Sequence, residues 1–569
     1  MSLSASAPWL RFYGDTPATL TYPNKTMYQL VAQTAEQYPT HTAYIFQGKK
    51  TSYSQFMGRI AAAARGLTAL GIGKGDRVTI CMPNTPQALT CFYALSRIGA
   101  VANMIHPLSA PQEIAFYLNV SKSKAILTLD QFYDKVASIL PQVQSKCAVL
   151  IAKIADELPF PLNLLYPLTK NGKHPLPKSG YTLWKELLIA GTDRMDLPAD
   201  DGKADDPAVI LYSGGTTGIS KGIVLSSKNF NALGLQTIAA SGFGSVLGMK
   251  MLSVMPVFHG FGLGIGIHTA LIGGASCILI PQFTPKTYAD VLLKQKPNLI
   301  PGVPTLFEAL LRVDSLKDAD LSFLKGIFCG GDSLSPQLKK KVDAFLQEHN
   351  CAEQIREGYG TTECVTASCL TPKNYAREGS IGIPFPDTFY KIVTPGTTQE
   401  LPENTEGEIC IAGPTVMLGY LDNPEETAQV LRRHEDGKIW LHTGDLGCMD
   451  ADGFVYFKQR IKRMIVTSGY NVYPSQLENV IDGHEKVLLS CCIGIADDYR
   501  GQKIRAYVVP MPGIAPTQEL KQELLAHCAQ YIAKYALPRE IVFRTELPKT
   551  LVGKVAYRVL EEEAAKENS

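Results

Sequence analysis

Short apolar runs alternate with longer helical patterns through most of this chain. The segments between the runs carry apolar residues at helical spacing. The clearest strand-like runs are residues 77–82, 125–129, 208–212, 276–280, 299–303 and 326–330. Strands separated by helical segments of roughly 10–15 residues are typical of parallel sheets covered by helices. The sequence therefore predicts an α/β fold built on parallel α/β layers.

The pattern changes twice along the chain, which at 569 residues is long enough for two or more domains. After Gly382, short strand-like runs separated by Gly, Pro and Asp turns indicate a small β-rich subdomain. From Ile461 helices and strands restart, which predicts a compact α+β domain. We therefore divide the chain into residues 1–460 and 461–569. The tail, residues 560–569, is predicted to be a charged, solvated helix end.

Composition narrows the class of protein. Apolar residues make up 45% and charged residues 19% of the chain, ordinary values for a globular enzyme. A formal net charge of +2 gives no electrostatic reason to expect a nucleic-acid partner. The 13 cysteines are scattered without paired CxxC spacing, as expected of reduced thiols in a cytoplasmic protein. The first residues lack the basic start and apolar core of a signal peptide.

One uncharged stretch, residues 251–285, has to be weighed as a membrane span. Pro256, His259, His268 and several glycines interrupt it, whereas a bilayer helix needs about 20 mostly apolar residues in a row. We therefore predict a buried strand, a loop, a helix and another strand here, and no transmembrane segment.

A loop rich in glycine and hydroxyl groups follows the strand at 208–212. Glycine backbone lets N–H groups approach an anion, and hydroxyl and ammonium groups add donors. The P-loop pattern G-x-x-x-x-G-K-[ST] does not fit. A plain glycine-rich turn is the alternative to a phosphate site. The loop runs Ser213-Gly214-Gly215-Thr216-Thr217-Gly218-Ile219-Ser220-Lys221-Gly222.

With further motifs in order along nearly the whole chain, this loop resembles the signature of the acyl-adenylate-forming enzymes. That family includes acyl-CoA synthetases, adenylation domains of peptide synthetases and beetle luciferases. The double glycine Gly214-Gly215 is most similar to bacterial fatty acyl-CoA synthetases. The resemblance implies a large adenylate-forming domain and a mobile C-terminal lid. The further motifs are Gly330–Leu334, Tyr359–Glu363, Gly413–Tyr420, His442–Asp445, Arg460, Ser468–Tyr470 and Pro548–Lys554.

The resemblance implies an ATP site. Thr216, Thr217 and Lys221 would hold the β- and γ-phosphates, and Glu363 would ligate Mg²⁺, which prefers oxygen ligands. Tyr359 would pack against adenine, and Asp445 would accept hydrogen bonds from the ribose with help from Arg460. The full implied ATP set is Ser213, Gly214, Gly215, Thr216, Thr217, Gly218, Lys221, Gly331, Asp332, Ser333, Tyr359, Gly360, Thr361, Thr362, Asp445 and Arg460.

The C-terminal domain would supply catalysis and the thiol site. Lys554 is implied to bridge the substrate carboxylate and the α-phosphate, because two anions that must react repel each other and a cation offsets that repulsion. Lys462 falls at the family's hinge position. Ser468, Gly469 and Tyr470 would approach the adenylate after rotation and admit the pantetheine arm of coenzyme A. The alternative interpretation is that Lys462 is only one member of a basic cluster with Lys458, Arg460 and Arg463.

The resemblance places the acyl pocket at His259, Phe261, Gly262 and Val303. Small and apolar residues suit an apolar acid. His259 is interpreted as a catalytic residue that gates the pocket or contacts the carboxylate, with a core histidine as the alternative. The absence of Lys or Arg in the stretch weakly disfavours dicarboxylates, so a medium- or long-chain fatty acid is preferred over an aryl acid.

The sequence thus predicts an AMP-forming acyl-CoA ligase that uses ATP, Mg²⁺ and coenzyme A. An aryl-acid CoA ligase and an acyl-AMP ligase that loads a carrier protein are the enzymatic alternatives. A luciferase-like oxygenase and a non-enzymatic acyl-binding scaffold fit less well, the latter because Glu363 and Lys554 are both present. Peripheral membrane contact and the choice between monomer and homodimer stay open.

Overall fold

Two large sheets form the body of the protein, in a computed structural model that describes residues 7–169, 172–192, 196–213, 220–467, 470–497, 499–550 and 554–567. The first sheet has nine strands, parallel through its middle and antiparallel at both edges. In spatial order they are Ile383–Pro384, Cys369–Leu370, Ile355–Tyr359, Gly326–Cys329, Leu299–Gly302, Lys250–Ser253, Ser276–Leu279, Thr42–Phe46 and Lys49–Ser52.

The second sheet has eight strands and begins with an antiparallel edge. The remaining pairs are parallel. In order they are Gly419–Tyr420, Lys221–Ser226, Pro207–Ser213, Val101–Met104, Arg77–Cys81, Ala125–Leu129, Ala148–Ala152 and Thr182–Leu183. The antiparallel edge carries both ends of the glycine-rich loop.

Helix Pro86–Arg97 connects two strands of the second sheet, is buried along almost its whole length, and contacts His268 of the π-helical segment through Tyr93. Just before it, the Asn84 amide donates to the carbonyls of Ser253 and Met255, each at 2.9 Å. The α-helices among the described residues are Met27–Gln37, Tyr53–Ala69, Pro86–Arg97, Pro111–Ser121, Tyr133–Ile139, Leu162–Leu165, Trp184–Thr192, Ser227–Ala240, Ala270–Ile272, Pro285–Gln295, Pro304–Leu310, Pro336–Glu348, Pro424–Val430, Pro474–Asp482, Gln518–Tyr531 and Tyr557–Glu567.

A third, antiparallel sheet of five strands lies after residue 382, where the sequence predicts a β-rich subdomain. Its strands are Phe389–Val393, Gly407–Ala412, Ile439–Met449 and Leu431–Arg433, with Val455–Arg460 paired to Ile439–Met449. The fourth sheet forms the C-terminal α+β unit and also has five strands. They are Tyr470–Val472, Ile465–Thr467, Gly501–Pro510 and Val487–Asp497, with Glu540–Phe543 paired to Gly501–Pro510.

The predicted fold class is confirmed: the chain is an α/β protein with parallel layers, a β-rich subdomain and a small α+β unit. The division at 460/461 stays a prediction. It falls between the last strand of the third sheet, Val455–Arg460, and the first strand of the fourth, Ile465–Thr467. The predicted tail is a helix end with exposed charged side chains, but the prediction that it is solvated is wrong for Leu560 and Ala564, which are fully buried against strands of the fourth sheet.

The uncharged stretch folds as predicted, into strand Lys250–Ser253, a loop, a helical segment and strand Ser276–Leu279. Most of the helical segment, Phe261–Thr269, is π-helix and is buried along its entire length. Such wide turns often mark functional sites. None of the described helices is long and apolar enough to cross a bilayer.

Candidate active site

The glycine-rich loop connects two paired strands, and Ser213 and Lys221 lie opposite each other in that ladder. Residues Gly214, Gly215, Thr216, Thr217 and Gly218 lie outside the described residues, so their predicted phosphate contacts stay predictions. The Lys221 ammonium forms an ion pair with Glu426 and lies 5.1 Å from the ring centroid of Tyr420. Lys221 therefore supplies a cation at the strand end that follows the loop.

Tyr420 connects this cation to the predicted metal ligand. Its hydroxyl donates to Glu363 Oε1 at 2.9 Å. Burial and the Glu363 charge raise the pKa of Tyr420, so the hydroxyl stays protonated and donates. Glu363 lies in the short turn Thr362–Cys364. The sequence motifs assign no role to Tyr420 or Glu426, although Tyr420 ends the motif Gly413–Tyr420.

Asp445 is held between two side chains. The Tyr359 hydroxyl donates to Asp445 Oδ2 at 2.6 Å. Arg460 is the register partner of Asp445 on the neighbouring strand, and its Nε lies 3.4 Å from Oδ1. The carboxylate is 2% exposed, and Oδ1 is buried without a hydrogen-bond partner among the described residues. Phe457 packs against Tyr359, with ring centroids 5.7 Å apart.

Arg460 gives Oδ1 a charge partner at 3.4 Å but no hydrogen bond, and a buried carboxylate oxygen without a hydrogen bond is costly unless a ligand supplies one. Burial raises the pKa of Asp445, and the Arg460 charge opposes that effect. A hydroxyl donor would satisfy Oδ1 while Tyr359 keeps Oδ2 in place. The geometry thus fits the predicted ribose role of Asp445.

The turn that precedes Glu363 is tightly packed. A Cβ on Gly360 would lie 2.2 Å from the Thr366 carbonyl oxygen, so no side chain fits there. Thr361 is buried, and its N–H donates to Cys364 Sγ at 3.2 Å. Thr362 is the first residue of the short turn. These residues fix the Glu363 backbone, while direct ATP contacts by Gly360, Thr361 and Thr362 stay predictions.

Lys554 comes from the C-terminal unit and reaches this site. A Cβ on Gly331 would lie 3.8 Å from Lys554 Cε and 3.5 Å from Val303 Cγ1. Burial and Arg460 lower the pKa of Lys554, whereas Asp332 and Asp445 oppose the shift. The Lys554 side chain therefore lies beside Gly331, close enough to Asp445 for the two charges to interact.

Residues 331–333 line the same corner. Gly331 has a φ of +81°, a conformation that favours glycine. The Ser333 N–H donates to Asp332 Oδ1 at 3.0 Å, which closes a local turn. Gly331 lies beside Lys554, and the Asp332 charge acts on the ammonium, while the predicted nucleotide contacts of residues 331–333 stay predictions.

Three of the predicted acyl-pocket residues, His259, Phe261 and Gly262, lie at the start of the π-helix, whereas Val303 precedes helix Pro304–Leu310. Phe261 and Val303 are each 7% exposed. A Cβ on Gly262 would lie 2.1 Å from the Pro256 carbonyl oxygen, so this glycine permits backbone packing more than it opens space. The interpretation of Gly262 as pocket lining is thereby weakened.

His259 is neutral at physiological pH. Burial and the Lys554 charge lower its pKa to about 3. The Phe261 N–H donates to His259 Nδ1 at 3.2 Å, which leaves the proton of the neutral ring on Nε2. His259 can therefore donate one hydrogen bond from Nε2 but cannot serve as a second cation.

Val365 joins the two halves of the site. It is fully buried and has φ +65° and ψ −59°, an uncommon conformation for a β-branched residue. The Thr366 N–H donates to the Cys364 carbonyl at 2.8 Å across it. A Cβ on Gly260 would lie 1.7 Å from the Val365 carbonyl oxygen. This turn therefore fixes Glu363 relative to the start of the π-helix.

The residues predicted for the hinge and for coenzyme A lie on the C-terminal side. Lys462 is in the turn Ile461–Arg463, directly after the last strand of the third sheet. Ser468 and Gly469 lie outside the described residues. Tyr470 is 55% exposed and stacks on Tyr535 with ring centroids 4.4 Å apart. The predicted roles of Lys462 and Tyr470 stay predictions.

Comparison with known proteins identifies the class to which this fold and site belong. The AMP-binding enzyme family matches residues 31–421, and its C-terminal domain matches residues 476–554. The chain belongs to the AMP-binding enzyme family.

Individual relatives align over nearly the full chain. A long-chain-fatty-acid–CoA ligase of Bacillus subtilis (strain 168) is 35% identical over 99% of both chains. ATP-bound MatB from Rhodopseudomonas palustris is 26% identical, with a TM-score of 0.80 over 96% of this chain and 100% of that one. Apo MatB, at the same identity and coverage, gives a TM-score of 0.72.

Proposed function

We propose that this protein is an AMP-forming acyl-CoA ligase whose acid is a long-chain fatty acid. The observation that carries the proposal is the position of Lys554, which lies beside Gly331, as the apolar residue Val303 does, and close enough to Asp445 to interact with its charge. One cation thereby lies where a nucleotide and an apolar acid would meet. The Bacillus subtilis relative, which carries the name of that activity, supports the choice of acid.

In the first half-reaction the acid's carboxylate displaces diphosphate from the α-phosphorus of ATP and forms acyl-AMP. Lys554 would offset the repulsion between the two anions and stabilise charge on the phosphoryl oxygens. Asp445 and Arg460 would hold the ribose, and Tyr359 would flank adenine. The higher TM-score against ATP-bound MatB than against apo MatB supports a domain arrangement suited to this step.

In the second half-reaction the thiolate of coenzyme A attacks the acyl carbonyl and AMP leaves. Lys554 is not needed for this step. The C-terminal unit would rotate at Lys462 and bring the strand of Tyr470, with the preceding Ser468 and Gly469, to the adenylate. Domain rotation of this kind gates many enzymes. The exposed position of Tyr470 in the present arrangement supports its use in a later one.

The acyl chain would enter beside the π-helix Phe261–Thr269. This segment carries no charged side chain and is buried throughout, an environment that suits an alkyl chain. His259 would donate from Nε2 to the carboxylate or its adenylate. Because the His259 ring is neutral, Lys554 is the cation of these two residues.

The residues at Glu363 fit a magnesium ion. A carboxylate beside a phosphate-binding loop is the kind of ligand Mg²⁺ prefers, because the ion bridges protein and phosphate oxygens. Glu363 Oε1 already accepts from Tyr420, which orients the carboxylate. Bound Mg²⁺ would neutralise charge on the leaving diphosphate.

The test is AMP release by the purified protein with ATP, Mg²⁺ and coenzyme A across short, medium, long and aromatic acids. We expect the highest kcat/KM with long-chain acids. Preference for benzoate-like acids would favour the aryl-acid alternative. Acyl transfer to a carrier protein without transfer to coenzyme A would favour the loading enzyme. Failure of labelled diphosphate to exchange into ATP with every acid would refute the proposal.

We further propose a cytoplasmic enzyme whose partners are small molecules. The predicted choice between monomer and homodimer is settled by light scattering after gel filtration. Sedimentation with vesicles tests peripheral membrane contact.

A further inference from the structure

Three potential metal ligands meet inside the β-rich subdomain. Cys410 and His442 are register partners on neighbouring antiparallel strands, and His434 lies on the adjoining hairpin. The cysteine sulfur and one nitrogen from each imidazole all lie within 4.8 Å of one another. Cys410 is 0% exposed, His434 5% and His442 4%. The reaction described above uses none of these atoms.

The hydrogen bonds around His442 leave one of its nitrogens available as a ligand. His442 Nδ1 lies 3.0 Å from Glu408 Oε2, and because a carboxylate only accepts, Nδ1 carries the proton. Its Nε2 then has a lone pair, directed at His434 Nε2 at 3.0 Å. Glu408 Oε1 accepts from the Gly444 N–H at 3.0 Å, which holds the carboxylate in place.

This arrangement matches that of a histidine bound to zinc. Metal-bound imidazole commonly donates its other N–H to a carboxylate, which fixes the ring and increases its basicity. Two nitrogens that bind one zinc ion at 2.0–2.1 Å with tetrahedral angles lie about 3.3 Å apart. The observed 3.0 Å between the two Nε2 atoms needs only a small adjustment.

We propose that Cys410 Sγ, His434 Nε2 and His442 Nε2 bind one zinc ion. Glu408 accepts the hydrogen bond from Nδ1 of the zinc-bound His442, and a water molecule is the fourth ligand. Binding releases the thiol proton of Cys410, since the thiolate is the ligand. The proton that His434 Nε2 donates to His442 in the metal-free protein moves to His434 Nδ1, which has no other hydrogen-bond partner among the described residues. Because all three residues are buried, the ion enters while the chain folds.

The ion would have a positioning role. It would join strand Gly407–Ala412 to strand Ile439–Met449 and to the hairpin that carries His434. Asp445 lies three residues beyond His442 on the same strand, so the ion would stiffen the strand that presents this carboxylate. The competing explanation is a hydrogen-bonded imidazole pair beside a neutral core thiol.

Cobalt substitution separates the two explanations, because Co²⁺ occupies zinc sites and its bond to thiolate absorbs in the near ultraviolet. The full chain is expressed in minimal medium with zinc or with cobalt and purified without chelators. We expect about one metal ion per chain by mass spectrometry, and a thiolate-to-cobalt band in the cobalt protein.

Cys410→Ser should abolish that band, and His434→Asn should lower the bound metal severalfold. Cys448→Ser, which removes a half-buried thiol outside the cluster, should change neither. Wild-type protein that is folded by circular dichroism but contains no zinc or cobalt above a metal-free blank would overturn the proposal. Equal loss of the band in Cys410→Ser and Cys448→Ser would also overturn it. Acid activation is not measured, so this result is independent of the proposed function.

Discussion

The Tyr359 hydroxyl donates to Asp445 across 2.6 Å and joins the last parallel strand of the first sheet to the third sheet. This bond satisfies Oδ2, whereas buried Oδ1 has an ion pair with Arg460 but no hydrogen bond among the described residues and can accept one from a ligand. Asp445→Asn should therefore weaken ATP binding roughly tenfold or more, since bonds to a charged acceptor contribute about 1.5–3 kcal/mol. The penalty for 2′- or 3′-deoxy-ATP should shrink in the variant. Isothermal titration measures both, and an unchanged deoxy penalty would argue against ribose binding.

Lys554→Ala should slow diphosphate exchange roughly 10²–10³-fold, the usual cost of losing one stabilising group in the transition state. Thioester formation from supplied acyl-adenylate should fall far less, because Lys554 has no part in that step. Lys549→Ala removes an exposed lysine from the same segment and is the matched control. Equal losses in both half-reactions would contradict the assigned role.

The rate of adenylation should depend on pH through the protonation of the Lys554 ammonium. Burial lowers the pKa of Lys554, so its charge is lost at a lower pH than that of a free lysine, near 10.4. The kcat/KM for ATP should therefore fall as pH rises through this lowered pKa. Lys554→Arg keeps its charge at high pH, and its profile should lack that alkaline limb whatever its absolute rate. An identical limb in both proteins would assign it to another group.

Glu426→Gln should lower the KM for ATP about two- to fivefold. Glu426 pairs with Lys221 at the end of the phosphate loop, and partly exposed pairs contribute about 0.2–1 kcal/mol. Removing the carboxylate leaves the ammonium available to phosphate oxygens. Glu425→Gln, on the same helix and exposed, is the control. A higher KM in Glu426→Gln would mean that the pair orients Lys221 productively.

Leu560→Ala should destabilise the C-terminal unit by about 2–5 kcal/mol, the range for deleting a fully buried leucine side chain. Val559→Ala, at a position 39% exposed, should change stability by about 0.5 kcal/mol or less. Urea unfolding followed by circular dichroism compares them. Similar midpoints for the two variants would indicate that the helix contributes little.

Sequence patterns predicted most of the architecture because each parallel strand is a short apolar run whose signal is local. Strand Ala125–Leu129 has the bounds predicted for it. The π-helix Phe261–Thr269 was predicted only as a helix, since its wide turns depend on packing against other elements. The burial of Leu560 and Ala564 was not predicted, because the charged residues around them dominate the sequence pattern of this segment.

The candidate site was predictable only where residues belong to contiguous motifs. Tyr359 and Asp445 were assigned by motif, and their contact emerged from the fold. Glu426 could not be assigned, because its link to Lys221 spans 205 positions. Cys410 and His434 have no metal-binding spacing in the sequence and become neighbours only through strand register.

The helix Tyr557–Glu567 begins three residues after Lys554 and packs Leu560 and Ala564 into the small unit. A deletion that stops just past Lys554 would look like the trimming of a charged appendage. It would instead uncover the apolar side of the fourth sheet and leave the lysine on an unanchored end. Loss of activity in such a deletion would therefore report a collapsed support for the lysine, and only a point substitution can isolate its chemistry.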